Sequence, residues 1–115
     1  MKKNLVLTGM MGVGKSTIGT KLAKKLKLKF IDTDQIIEIK ENNTIKKIFE
    51  IKGEGYFRKI EKKITLEELK KDNLVVALGG GAFMDKSIRR EIKNSCISFW
   101  LDLNMHSLLI RLKNA

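Results

Sequence analysis

The run Gly9-Met10-Met11-Gly12-Val13-Gly14-Lys15-Ser16 follows one pattern throughout: glycine, four variable residues, glycine, lysine, then a hydroxyl residue. Glycines in such a turn let successive backbone N–H groups point inward, and a helix that begins there adds its positive end. A polyphosphate is then gripped largely by main chain. Lys15 offers a point charge to the terminal phosphates, the Ser16 hydroxyl suits Mg2+, and Thr17 can donate to an inner phosphate. The plainer alternative is a glycine turn capping an unrelated helix. The complete spacing, set between an apolar run and a helical pattern, favours nucleotide binding.

Three other places carry groups that phosphoryl transfer could use. Asp32 and Asp34 follow the second apolar run, and a spacing of two at an extended strand end projects both carboxylates to one side, toward the phosphate loop. One could serve a nucleotide-bound Mg2+, directly or through water, while the other orients a sugar-like hydroxyl. Taken alone, the stretch reads as a helix cap made by Thr33 or Asp34; beside a phosphate loop the functional reading gains, and Asp34 can do both. Gly79-Gly80-Gly81 ends the third apolar run, and ordering three glycines is entropically costly. That cost favours a place where a ligand approaches the main chain over a merely flexible connection. Arg58 is one of four arginines in a lysine-dominated chain, and its fork of N–H donors suits a planar carboxylate. A surface ion pair with Glu61 or Glu54 explains Arg58 equally well from sequence.

The elements that must position these groups follow from apolar spacing. Asn4 to Thr8 is a short apolar run bounded by glycine, which predicts a buried strand, and Ile18, Leu22 and Leu26 recur at helical spacing after it. Phe30-Ile31 predicts a second strand, and Gln35 to Lys40 a helix. Thr44 to Ile51 predicts a helix capped by Thr44 with Ile45, Ile48 and Phe49 on one face, and Tyr56 to Lys71 a longer one carrying Phe57, Ile60 and Ile64. Leu74 to Leu78 is the third strand, Ser87 to Lys93 a helix, and Ile97 to Leu101 the fourth strand; Asn104 caps a last helix with Leu108, Leu109 and Leu112. Continuous apolar strands alternating with helices predict an α/β fold with a parallel sheet covered on both faces, and ligands at the carboxyl ends of its strands. Met10 and Met11 read as loop fillers, Trp100 as packing, and His106 as a solvated helix residue with no catalytic tie to Cys96.

At 115 residues and 43% hydrophobic content, the chain suits one small domain spanning residues 1–115. Its longest aliphatic stretch, Leu74 to Leu78, falls far short of the roughly 20 apolar residues of a membrane span. The early glycines interrupt any secretory h-region, and a lone cysteine fits a reducing compartment, so the expected location is cytoplasmic. A net charge of +11 selects anionic partners. With 6% aromatics there is little base-stacking material, and Lys21, Lys24, Lys25 and Lys27 read as an ordinary solvated helix face, so no nucleic-acid or membrane partner is expected.

The phosphate loop, followed by Asp32-Thr33-Asp34, Gly53-Glu54, Phe57-Arg58 with Glu61, and then Gly79-Gly80-Gly81, resembles shikimate kinase along essentially the whole chain. The resemblance implies a three-layer α/β/α P-loop kinase core. It also implies transfer of the ATP γ-phosphoryl group to the 3-hydroxyl of shikimate, in chorismate and aromatic amino-acid synthesis. By the same resemblance, Gly12, Val13, Gly14, Lys15, Ser16 and Thr17 bind ATP phosphates, Arg111 packs on adenine, and Ser16 with Asp32 holds Mg2+. Asp34, Arg58 and the main chain of Gly79, Gly80 and Gly81 bind shikimate, with Lys15 and Asp34 in the catalytic roles. Family members run on past the position of Ala115 with a fifth strand, a terminal helix and a mobile lid, so the core is expected to be incomplete, and the full-length form monomeric. Two competing expectations are a nucleotide-binding module without catalysis and a kinase of another hydroxy-acid such as gluconate. A small basic nucleic-acid binder is a third, and it would show salt-dependent oligonucleotide binding insensitive to Lys15→Ala.

Overall fold

A computed structural model of the chain describes residues 4–9, 15–79 and 81–101. Its elements run β1 (Asn4–Gly9), α1 (Lys15–Leu26), β2 (Lys29–Asp32), α2 (Thr33–Glu41), α3 (Ile45–Leu69), β3 (Leu74–Ala77), a 3-10 turn (Ala82–Met84), α4 (Lys86–Ser95) and β4 (Cys96–Leu101). The strands form one four-stranded sheet in the order β2-β3-β1-β4, and every pairing is parallel. Register is fixed along its length: Leu5 lies beside Val75 and Ile97, and Phe30 beside Val75.

Side-chain alternation along these strands divides the core into two layers. Leu5, Leu7 and Val75 pack on one face against Ile18 and Ala23 of α1. Val6, Leu74 and Val76 pack on the other against Leu69 of α3 and Ile88 and Ile92 of α4. The result is the expected α/β/α sandwich, with both faces of a parallel sheet covered. A third cluster joins α2 to α3 through Ile37, Ile48, Phe57 and Ile64, with Ile45, Phe49 and Ile60 against it, which are the faces expected from helical spacing.

Helix ends are chemically marked. Thr44 accepts from the Lys47 N–H to cap α3, and Asp85 accepts from Ser87 and Ile88 to cap α4. Inside α3, Gly53 leaves helical geometry at φ 84°, ψ 168°, so the two expected helices on either side form one broken rod. Leu26, expected on the buried face of α1, is instead 48% exposed because α1 ends there and Ala23 provides the last core contact. The four lysines of the α1 region are exposed, as a solvated face requires. The expected last helix with Asn104, Met10, Met11, His106 and the packing of the Trp100 side chain lie outside what is described.

Candidate functional site

β1 and β3 are neighbours whose following segments leave on opposite faces of the sheet, α1 on one and α4 on the other. Their carboxyl ends therefore flank a crevice at a topological switch point, the usual ligand position in such sheets. β2 lies on the far side of β3, so the residues after three strands converge on the peptides that follow Ala77.

Lys15 opens α1, and its Nζ donates to the Leu78 carbonyl at 2.9 Å, reaching across the crevice to the end of β3. Ser16 and Thr17 are exposed in the first turn of the same helix. Gly12, Val13, Gly14, Gly80 and Arg111, assigned by the resemblance to ATP or shikimate, lie outside the described residues.

The acidic pair is built differently from the expectation. Asp32 ends β2, but Thr33 already begins α2, so the two carboxylates do not leave one extended strand end together. Nor does Thr33 or Asp34 cap the helix. Asp32 is the cap, its Oδ1 accepting from the N–H groups of Asp34 at 2.9 Å and Gln35 at 3.3 Å. A strand that turns directly into a helix leaves its last residue with extended geometry, φ −121° and ψ 119°, which a capping carboxylate requires.

Asp34 lies half-buried against the main chain of Gly79, where any added Cβ would overlap its carboxylate. Its carboxyl is pushed up from 3.8 to about 6, first by burial and then by the negative charges of Asp32 and Glu61, with Lys15 opposing. Gly81 stands to Arg58 as Gly79 stands to Asp34: a Cβ there would overlap the guanidinium. At these two positions the missing Cβ also leaves room for the protein's own charged side chains. Arg58 forms both ion pairs considered from sequence, Nη1 to Glu61 Oε1 at 2.9 Å and Nη2 to Glu54 Oε2 at 3.5 Å. The Glu61 bond raises the Arg58 pKa further above its ordinary range. The guanidinium also lies 5.4 Å from the ring centre of Phe57 and 5.9 Å from that of Phe49, within cation–π range. An open cleft of about 400 Å³ adjoins it, lined by Glu54, Arg58, Glu61, Lys62, Gly81 and Met84 among others.

Two participants have roles that the sequence reading does not assign. Glu61 enters the sequence reading as part of the Phe57-Arg58 motif and as a surface ion-pair partner without a role in the site, whereas its side chain is 4% exposed and its charge reaches both Arg58 and Asp34. Its spacing of three from Arg58 on a helix was the available signal. Thr33 was read only as a cap; its hydroxyl bonds instead to the segment after β3, which no local pattern reveals.

Among the described residues, no group of three or more His, Cys, Asp or Glu side chains could hold a metal by itself, and no helix is long and apolar enough to cross a membrane. The family model for shikimate kinase matches residues 11–115. A shikimate kinase of Sulfurihydrogenibium sp. is 46% identical over 97% of this chain and 68% of its own length. That of Bartonella quintana is 44% identical over 96% of this chain and 52% of its own. The solved shikimate kinase of Acinetobacter baumannii, in complex with shikimate, superposes with a TM-score of 0.83 at 40% identity, covering 88% of this chain and 56% of that one. The chain thus spans between about half and two thirds of the length of these relatives. With the family model running from residue 11 to residue 115 and a solved member superposing with a TM-score of 0.83 at 40% identity, this chain belongs to the shikimate kinase family.

Proposed function

We propose that the chain binds ATP with Mg2+ and transfers the γ-phosphoryl group to the 3-hydroxyl of shikimate, giving shikimate 3-phosphate and ADP. One observation carries the reading beyond family membership: three charged groups from three different elements meet the short segment that follows β3. Lys15 reaches Leu78, Asp34 lies on Gly79 and Arg58 on Gly81.

Phosphoryl transfer needs alignment and charge compensation more than covalent help from the protein. Residues 12 to 17 are assigned to the ATP phosphates, with Lys15 exchanging a neutral carbonyl for a phosphate oxygen, which is the stronger partner for an ammonium. Asp34, ionised above about pH 6, accepts from the ring hydroxyl that attacks and can take its proton. Arg58 is held at Nη1 by buried Glu61, while its contact to Glu54 is longer and exposed, so the carboxylate of shikimate replaces Glu54 at Nη2. The glycine turn at 79, 80 and 81 closes on the ring, and Arg111 packs on adenine.

Ser16 and Asp32 are assigned to Mg2+, Asp32 through water. Asp32 commits Oδ1 to the helix cap and keeps its second oxygen, so one hydroxyl and one carboxylate fit an ion that arrives with its nucleotide and retains several waters. When bound, the ion neutralises phosphate charge. The further assignments are a single P-loop kinase domain, a monomeric full-length form, a cytoplasmic location, and no nucleic-acid or membrane partner.

Coupled measurement of ADP release tests the reading. Turnover should require shikimate and fall by at least about a hundredfold with Lys15→Ala. ATP binding without shikimate-dependent ADP release supports a non-catalytic nucleotide module. Turnover with gluconate in place of shikimate supports a different hydroxy-acid.

A further inference from the structure

Thr33 stands between the two functional carboxylates, is fully buried, and uses its hydroxyl away from its own helix. The hydroxyl accepts from the Gly79 N–H at 3.0 Å and donates to the Ala77 carbonyl at 3.4 Å. Capping is already done by Asp32, so Thr33 is released for this long-range contact.

The Leu78 carbonyl and the Gly79 N–H are the two halves of one planar peptide unit, which is trans like every peptide bond described here, and they point in opposite directions. Lys15 Nζ holds the carbonyl half, and the Thr33 hydroxyl holds the N–H half. A single peptide plane after β3 is thus gripped by one side chain from the segment after β1 and by another from the segment after β2. Gly79 is also the residue against which the Asp34 carboxylate rests, so a tilt of this plane changes where that carboxylate can sit.

We propose that Thr33 is a positioning residue: its hydroxyl fixes the Leu78–Gly79 peptide and thereby sets Asp34 for the acceptor hydroxyl. The inference rests on the phosphotransfer reading given above. Lys15 leaves the carbonyl half when it turns to phosphate, so the Thr33 bond is what remains to hold the plane while the acceptor binds. Valine at this position fills nearly the same space but leaves a buried N–H without an acceptor, which costs more than the bond itself.

Thr33→Val and Thr33→Ser separate the hydroxyl from the shape. In steady-state kinetics Thr33→Val should raise KM for shikimate about five- to tenfold, with KM for Mg-ATP within about twofold, and Thr33→Ser should restore both. In amide hydrogen exchange the Gly79 N–H should exchange about tenfold faster or more in the valine variant and stay protected in the serine variant. Unchanged shikimate KM, a parallel rise in both KM values, serine behaving like valine, or unaltered Gly79 exchange would each overturn the proposal. A wild-type chain without shikimate-dependent turnover would overturn the phosphotransfer reading instead, and the Gly79 comparison would still decide the tether.

Discussion

Asp34 sits where its charge is disfavoured by burial and by its acidic neighbours Asp32, Glu61 and Glu38, which is what a group that exchanges a proton near neutrality needs. Its folded pKa of about 6 lies above the ordinary 3.8, so the folded chain holds this proton more tightly than the unfolded one. The contribution to stability is therefore present below about pH 4 and lost as pH rises to about 6. Asp34→Asn should gain about 1 kcal/mol of stability at pH 8, after allowing for solvent screening of a half-exposed group, and nothing at pH 4. Urea unfolding at the two pH values checks this. In the wild type, kcat/KM for shikimate should fall below about pH 6, and Asp34→Asn should lower the rate by at least about a hundredfold. Arg58 presents the opposite balance, since its removal strands a buried partner. Arg58→Ala should cost about 1–3 kcal/mol by leaving the Glu61 carboxylate unpaired, whereas Arg58→Lys keeps the charge but loses the two-pronged contact. Chemical denaturation of both variants, alongside shikimate KM, separates the structural loss from the binding loss.

At the scale of elements, α3 does two jobs because it breaks. Residues before Gly53 pack Ile48 and Phe49 with α2, and those after it present Arg58 and Glu61 to the glycine turn, with the Phe49 and Phe57 rings 4.7 Å apart across the break. The Gly53 backbone, at φ 84° and ψ 168°, is a conformation that side chains with a Cβ rarely adopt, although a Cβ there would meet nothing within 4 Å. Gly53→Ala should therefore cost about 1–3 kcal/mol through backbone strain alone, read as a lowered urea midpoint with unchanged slope. Most elements were legible from apolar spacing: the short run Leu74 to Leu78, with β-branched Val75 and Val76 and bounded by turn residues, reads as a buried strand, and the spacing of Phe57, Ile60 and Ile64 puts them on one helix face. The start of α2 was not legible. Asp32 is both the last strand residue and the helix cap, and a pattern that allots each residue to one element places the boundary too late.

The whole molecule shows why part of the site could be read in advance and part could not. Lys15, Asp34 and Arg58 carry charges whose chemistry is written in their types and spacings. The Leu78 carbonyl and the Thr33 hydroxyl matter only because β3 lies between β1 and β2, an order set by how helices cover the two faces rather than by any local run. The net charge of +11 acts at this scale too, drawing anionic substrates toward a crevice that itself holds Lys15 and Arg58. Raising KCl from about 0.05 to about 0.5 M should raise KM for Mg-ATP several-fold while changing kcat little, since screening weakens encounter more than chemistry in the closed contacts. Steady-state kinetics across that range, with an invariant KM as the contrary outcome, tests it. The most direct measurement is phosphorus NMR of the chain incubated with Mg-ATP and shikimate. A phosphomonoester resonance should grow in step with ADP and be absent for Lys15→Ala; ATP left intact beside shikimate, or an ester formed equally by that variant, would contradict a phosphotransfer site built on the turn after β3.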